Sequence, residues 1–145
     1  MTHKMTCFFV LVLVAAVFTG CGGGGIQLRG TVTFSEDGTP VDTGTVCFVS
    51  NSGSMSRGEL NSNGTYLVST NKPGDGILPG TYTVYLINTE KTEQVPVGRE
   101  GDFTDRTIQT VDGKYTSPTK SGMTCTVDRS TKTFDFKVER YKGRQ

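Results

Sequence analysis

Short segments in which apolar and polar residues alternate recur along most of this chain, and they constrain its fold more than any other feature. In residues 26–34, Ile26, Leu28, Val32 and Phe34 alternate with other side chains, which is the period of a half-buried β-strand. Similar segments lie at residues 43–50, 55–60, 65–70, 81–88, 123–128 and 133–139. Short strands at intervals of about 8–12 residues are typical of a β-sandwich.

The connections between these segments are rich in turn-forming residues. Asn63-Gly64 is the strongest short hairpin signal in the chain, and residues 129–132 are expected to close a second hairpin between the last two strands. Sustained helical periodicity is absent from the sequence after its N-terminal segment. We therefore expect an all-β domain at residues 26–140, a single antiparallel Greek-key β-sandwich of about seven strands.

Residues 89–120 depart from this pattern. They are polar, and their few apolar side chains are Val95, Val97, Phe103, Ile108 and Val111. We interpret them as a long surface excursion with one short strand at residues 106–111, because loops of this length are usually functional or disordered. Loops on a rigid scaffold often carry recognition, and tyrosine supplies contact area at low entropic cost. The candidate binding residues are therefore this excursion and Tyr82, Tyr85 and Tyr115.

The N-terminus has the features of an export signal. Its apolar run at residues 7–18 is shorter than the roughly 20 residues that span a bilayer, but it fits the core of a signal peptide behind a positive start. A buried core segment is the alternative. Phe18-Thr19-Gly20-Cys21 resembles the bacterial lipobox, with Phe18 in place of the usual leucine, and this implies cleavage before Cys21 and a lipid on that cysteine.

The predicted organisation is a signal peptide at residues 1–20, a glycine-rich tether at 21–25, the sandwich at 26–140 and a tail at 141–145. Two or more acyl chains, such as palmitate, hold a protein stably on a membrane. A glycine rather than an aspartate after Cys21 favours the outer membrane or cell surface. Ordinary secretion with an incidental Cys21 is the alternative.

Charge and length narrow the classes of function. Removal of residues 1–20 leaves 125 of the 145 residues, with 14 basic and 14 acidic side chains, which is the size of one domain. Nucleic-acid binding requires a clustered basic surface, and the sequence has none. We therefore expect no nucleic-acid partner.

Two cysteines remain in the mature domain after Cys7 leaves with the signal and Cys21 takes the lipid. Cys47 and Cys125 would persist as a disulfide in an oxidising compartment if they paired. The alternation of apolar residues, however, directs Cys125 inward and Cys47 to the opposite face, and side chains on opposite faces cannot bridge without backbone rearrangement. Free thiols are the preferred prediction, and a Cys47–Cys125 disulfide is the alternative.

Three stretches together resemble a known family. They are GTVTFSEDGTPV from Gly30 with GTVCF from Gly44, NGTYLV from Asn63 with LPGTYTV from Leu78, and KYTSPTKSGMT from Lys114. They are similar to small exported lipoproteins, numerous in planctomycetes and related bacteria, with a carboxypeptidase-regulatory-like, transthyretin-like sandwich. The resemblance covers residues 28–138 and implies a non-catalytic accessory or binding module at the cell surface.

Histidine chemistry is excluded from the mature chain, because the one histidine, His3, lies in the predicted signal peptide. A histidine base, a Ser/His or Cys/His pair and a histidine-containing metal cluster are therefore missing from its sequence. We expect no enzyme, no cofactor and no metal. Tyr141-Lys-Gly-Arg144 is similar to the C-terminal signature of the transthyretin-related hydroxyisourate hydrolases, but those enzymes rely on histidines, so we interpret the likeness as coincidence.

Carboxylates are the remaining candidates for chemistry. They form two groups, one in the excursion and one near the first turn, namely Glu100, Asp102 and Asp105, and Glu36, Asp37 and Asp42. Either group could supply oxygen ligands to Ca²⁺, although neither has the spacing of a known calcium loop. Solvated loop charge is the preferred interpretation.

The predicted function is a membrane-anchored, non-catalytic β-sandwich that binds or scaffolds a carbohydrate or another envelope protein. The first alternative is a purely structural envelope protein that has no ligand and uses an exposed edge strand for assembly. The second is a carboxylate-dependent hydrolase acting through Glu100 or Asp102, which is the least favoured of the three.

Overall fold

The computed structural model describes residues 24–98 and 101–143, so the predicted signal peptide, Cys21 and Glu100 lie outside the described residues. Within this part of the chain, no helix is both long and apolar enough to cross a membrane. The elements are nine strands and a 3₁₀ turn at Gly113–Thr116. The strands are β1 (Arg29–Phe34), β2 (Thr45–Ser50), β3 (Met55–Glu59), β4 (Thr65–Leu67), β5 (Gly80–Ile87), β6 (Glu90–Pro96), β7 (Phe103–Gln109), β8 (Met123–Val127) and β9 (Phe136–Val138).

Seven of these strands form two sheets that pack against each other. One sheet has the order β4-β1-β9 and the other β3-β2-β5-β8. Phe48 of β2 lies between them, with its ring centroid 6.2 Å from that of Tyr66 in β4 and 6.1 Å from that of Phe134. The all-β prediction is confirmed, and the Greek-key connection stays a prediction.

Strand β5 is the centre of the four-stranded sheet, between β2 and β8. Its β-branched and aromatic sequence favours a strand, and its buried residues Tyr82, Val84 and Leu86 alternate with half-buried ones. They join a core that both sheets supply and that includes Leu28, Val32, Phe48, Val68 and Val138. This alternation is the pattern seen in the sequence, since every second side chain of a strand points to the same face.

The interpretation of residues 89–120 as mainly a loop is wrong. Strands β6 and β7 pair in an antiparallel hairpin whose register runs from Glu90 opposite Gln109 to Pro96 opposite Phe103. The hairpin is a sheet of its own, and we call it the β6–β7 ribbon. Most of its side chains are exposed on both faces, so the alternation of apolar and polar residues that reveals a half-buried strand is missing.

The predicted hairpin about residues 129–132 is also wrong. Strand β8 pairs with β5 in the four-stranded sheet, whereas β9 pairs in parallel with β1 in the other sheet. The Asp128 carboxylate accepts hydrogen bonds from the backbone N–H groups of Ser130 and Thr131 at 2.7 and 3.0 Å, and this turn carries the chain across the core. The two strands therefore belong to different sheets. The alternation of apolar and polar residues would be the same if they paired with each other, so the sequence pattern does not distinguish the two arrangements.

Candidate functional site

Tyr82 is a core residue, which corrects its predicted role in binding. Its side chain is 5% exposed, and its ring stands edge-on to Phe48 with the centroids 6.4 Å apart. The hydroxyl donates to the Leu78 carbonyl at 2.9 Å, which satisfies its polar atom inside the protein. The Tyr82 side chain is therefore not accessible to a binding partner in this fold.

Tyr85 and Tyr115 are half-buried and lie apart from Tyr82. Tyr85 is three positions from Tyr82 in β5, so its side chain is on the outer face of the sheet. Tyr115 belongs to the 3₁₀ turn and packs against the edge of the core, with the Lys114 Nζ 4.9 Å from its ring centroid. The three tyrosines do not form one binding surface.

Cys47 and Cys125 are both buried free thiols, so the disulfide alternative is wrong for this structure. Cys47 lies opposite Tyr85 in the register, and Cys125 lies opposite Tyr82. Because Tyr82 and Tyr85 point to opposite faces of the sheet, so do the two thiols. Burial raises the pKa of the Cys125 thiol to about 11, and mainly burial also raises the pKa of the Cys47 thiol. Both thiols are therefore poor nucleophiles at neutral pH.

The carboxylates near the first turn are occupied by contacts within the chain. The backbone N–H of Arg140 donates to the Glu36 carboxylate at 3.1 Å. The Arg140 guanidinium contacts the Asp37 carboxylate at 3.0 Å and lies 3.8 Å from the centroid of the Phe34 ring. Asp42 pairs with Lys91 at 2.6 Å. These contacts connect Arg140 and the ribbon base to the sandwich.

The carboxylates of the predicted excursion do not assemble into a site either. Asp102 and Asp105 lie on the exposed β7 side of the ribbon. Across residues 24–98 and 101–143, no group of three or more His, Cys, Asp or Glu side chains is placed to hold a metal ion. The geometry of the described residues therefore gives no support to a calcium site.

An open groove of about 750 Å³ follows the edge of the four-stranded sheet, and we call it the edge groove. Most of its lining residues are polar, and Leu67 and Ile87 add apolar surface. The polar residues include Arg57, Glu59, Asn61, Ser69, Asn71 and Lys72. Amides, hydroxyls and charged groups of this kind can hydrogen-bond sugar hydroxyls. Glu59 is the one carboxylate among the described lining residues, whereas glycoside hydrolysis requires a pair.

The wall of the edge groove is fixed by Asp75. Its carboxylate accepts hydrogen bonds from the backbone N–H groups of Thr70, Asn71 and Lys72, at 2.7, 2.9 and 2.9 Å. These bonds lower the pKa of Asp75, because they favour the ionised form. The loop is therefore held in one shape above the groove. Sequence reasoning missed this feature, for which the composition Asn71-Lys72-Pro73-Gly74 gave a turn signal alone.

The β6–β7 ribbon is a second exposed feature of the described residues. Its strands pair with each other and with no further described strand. At its tip the Val97 N–H donates to the Asp102 carbonyl at 2.9 Å. Val97 is 45% exposed and Phe103 is 61% exposed, so apolar surface is presented to solvent beside the tip. Exposed apolar groups on a paired hairpin are suited to contact with another protein.

Comparisons with known proteins do not identify a family. No family model matches the sequence, and no curated protein matches it. Among solved structures, the chain is similar to a variant of BcpA, the major pilin subunit of Bacillus cereus, with 14% identity and a TM-score of 0.46 over 81% of this chain and 30% of that one. It is also similar to a 9R-lipoxygenase from Cyanothece, with 13% identity and a TM-score of 0.33 over 82% of this chain and 17% of that one. Likenesses at this level carry no functional argument.

Proposed function

We propose that this chain is a non-catalytic interaction module of the cell envelope, anchored by a lipid on Cys21 and binding another envelope protein through the tip of its β6–β7 ribbon. The proposal includes export to the outer membrane or cell surface and membership of the carboxypeptidase-regulatory-like lipoproteins that the sequence resembles. The alternative is a purely structural protein without a partner at the ribbon.

The observation that carries the proposal is the exposure of the ribbon tip. Phe103, with 61% of its surface exposed, is the most exposed large apolar side chain among the described residues. An aromatic side chain buried at an interface supplies much of the binding energy in protein complexes. The proposal is non-catalytic because the one histidine lies in the predicted signal peptide, and the hydrolase candidate Asp102 is exposed to solvent beside the ribbon tip.

The test is in-cell crosslinking of the tagged full chain, followed by mass spectrometry of the proteins crosslinked to it in the membrane fraction. We expect Phe103→Ser to remove the dominant crosslinked protein. The matched control is Leu78→Ser, because Leu78 is 59% exposed and lies at the other end of β5. A crosslinked partner that survives Phe103→Ser contradicts binding at the tip, and the absence of a partner for the wild type favours the structural alternative.

A second candidate function, glycan binding, is favoured by the edge groove. Its lining combines amide and charged side chains with a loop that Asp75 holds in place, and such a pre-formed groove reduces the entropic cost of binding. On a glycan array we expect Asn71→Ala to weaken any signal of the wild type, with Asn51→Ala, in an exposed turn, as the control. Equal signals from the two variants would exclude the groove as the glycan site.

A further inference from the structure

We infer that the free edge of β6 pairs with the same edge of a second copy of this chain, so that two ribbons form one four-stranded sheet. This inference concerns the side of the ribbon and goes beyond the proposed contact at its tip. Within the described residues, β6 pairs with β7 alone, so one edge of β6 has backbone groups that no strand of this chain satisfies. Such an edge is a template for strand addition.

Two hydrogen bonds determine which backbone groups of β6 point outward. The Thr110 N–H donates to the Thr89 carbonyl at 3.2 Å, and the Val97 N–H donates to the Asp102 carbonyl at 2.9 Å. Hydrogen-bonded and non-hydrogen-bonded pairs alternate along an antiparallel hairpin, so every odd-numbered residue of β6 directs its backbone toward β7. The even-numbered Glu90, Thr92 and Gln94 consequently direct their N–H and C=O groups away from the ribbon.

Symmetry restricts how two such edges can pair. In an isologous antiparallel pair the two-fold axis stands perpendicular to the sheet, so the residue on the axis faces itself in the second copy. With Thr92 on the axis, Glu90 lies opposite Gln94 of the second copy, and all three outward-facing residues find hydrogen-bonding partners. Pro96 has no N–H to donate, and in this register it falls beyond the three hydrogen-bonded pairs.

The side chains favour the same register. With Thr92 on the axis, Lys91 lies opposite Glu93 of the second copy, and Glu93 lies opposite its Lys91. These are non-hydrogen-bonded positions, where the strands bring Cα atoms to about 4.5 Å, and oppositely charged cross-strand pairs stabilise a sheet. Glu93 is exposed and Lys91 half-buried. The Lys91 ammonium already contacts Asp42 at 2.6 Å, and so it would lie between two carboxylates in the dimer.

Neighbouring registers of β6, and the registers of β7 that are centred on its charged residues, are disfavoured. With Lys91 or Glu93 on the axis, each of these charges would face its own copy. On β7, a register centred on Asp105 would oppose two carboxylates, and one centred on Arg106 would oppose two guanidinium groups. Like charges directly opposite each other destabilise a sheet. The charges on β6 therefore act against indiscriminate pairing and permit the symmetric register about Thr92.

Disulfide trapping of the full chain tests this pairing. Residues in a hydrogen-bonded pair have Cα atoms about 5.5 Å apart, which is within the range of a disulfide. We therefore expect Thr92→Cys to give a covalent dimer under mild oxidation. The control is Thr107→Cys, because Thr107 lies directly across the ribbon from Thr92 and is also exposed; the wild type reports the background from the native cysteines. A dimer yield from Thr92→Cys no higher than that from Thr107→Cys would overturn the inference.

Charge reversal separates an intermolecular effect from a folding defect. In the Thr92→Cys background, Lys91→Glu or Glu93→Lys turns both interchain pairs into like-charge pairs, and we expect each change to lower the dimer yield roughly tenfold. A mixture of the two variants, carrying tags of different size, restores opposite charges at both pairs. We expect its heterodimer yield to return to that of Thr92→Cys alone. A heterodimer yield as low as the homodimer yields would refute the register.

Discussion

At the scale of single residues, the hydroxyl of Tyr66 connects the two edges of the three-stranded sheet. Tyr66 is 2% exposed, and it donates to the Phe134 carbonyl across the strand β1 that separates them. Burial raises the pKa of this hydroxyl, so it stays a donor at any physiological pH. We expect Tyr66→Phe to lower the free energy of unfolding by about 1–3 kcal/mol, because it leaves a part-buried carbonyl without this donor.

Chemical denaturation measures this change, and Tyr141→Phe is its control. Tyr141 is 46% exposed, so loss of its hydroxyl removes a group that water can replace. A Tyr66→Phe variant as stable as Tyr141→Phe would show that the Phe134 carbonyl finds another donor.

Asp37 is a single residue that makes the free energy of unfolding depend on pH. The Thr39 hydroxyl and N–H, and then Arg140, lower the pKa of Asp37 to about 2. A carboxylate whose pKa is lower in the folded state stabilises the fold above its unfolded pKa of about 4, and this contribution is lost as the pH falls toward 2. We expect Asp37→Asn to be less stable than the wild type at pH 5, with the difference shrinking toward pH 2. Denaturation curves at each pH test this, and a difference that does not vary with pH contradicts it.

At the scale of elements, the ribbon is separable from the sandwich. The described core residues all lie before residue 88 or after residue 110, and the Thr110 N–H already bonds to the Thr89 carbonyl, as in a tight turn. We expect replacement of residues 90–109 by Asn-Gly to change the free energy of unfolding by less than about 1 kcal/mol. Thermal and chemical unfolding measure this change. A large loss of stability would mean that the ribbon supports the core.

The ribbon also shows which strands could be predicted from the sequence and which could not. Strands β1 and β5 were predictable because one face of each is buried, so their apolar residues recur at every second position. The ribbon buries neither face, and its threonines and charges are compatible with a loop. The placement of β8 and β9 in different sheets was hidden because alternation gives the direction of side chains but not the identity of the neighbouring strand.

The candidate site was predictable to a smaller extent. The sequence directed attention to residues 89–120, which contain the ribbon, but the tyrosines chosen with them were a poor guide, because Tyr82 packs in the core. The edge groove was missed since it combines residues from β3, β5 and the loop at 70–74. Polar residues that are distant in sequence and meet at a sheet edge leave no local pattern.

At the scale of the whole molecule, the predicted tether and the ribbon lie at opposite ends of β5. Ile26, the first residue after the tether, exchanges two backbone hydrogen bonds with Ile77, at 2.7 and 3.0 Å. Ile77 lies just before β5, whereas the ribbon follows its end. Eight residues of strand separate the two ends by roughly 24 Å. A lipid on Cys21 would therefore leave the base of the ribbon remote from the point of attachment.

Anchoring is testable without substituting a residue of the sandwich, because the first paired residue in the described part of the chain is Ile26, which follows Cys21 in the sequence. We expect Cys21→Ala to abolish incorporation of labelled palmitate and to move the protein out of the membrane fraction, since its one proposed anchor is removed. Cys7→Ala is the matched control: Cys7 lies in the predicted signal peptide, so labelling and membrane association should be unchanged. Labelling that persists in Cys21→Ala would refute lipidation of Cys21. Loss of labelling in both variants would indicate failed export rather than a missing lipid acceptor. An unfolding curve of the released Cys21→Ala protein that matches the wild type would show that folding does not depend on the anchor.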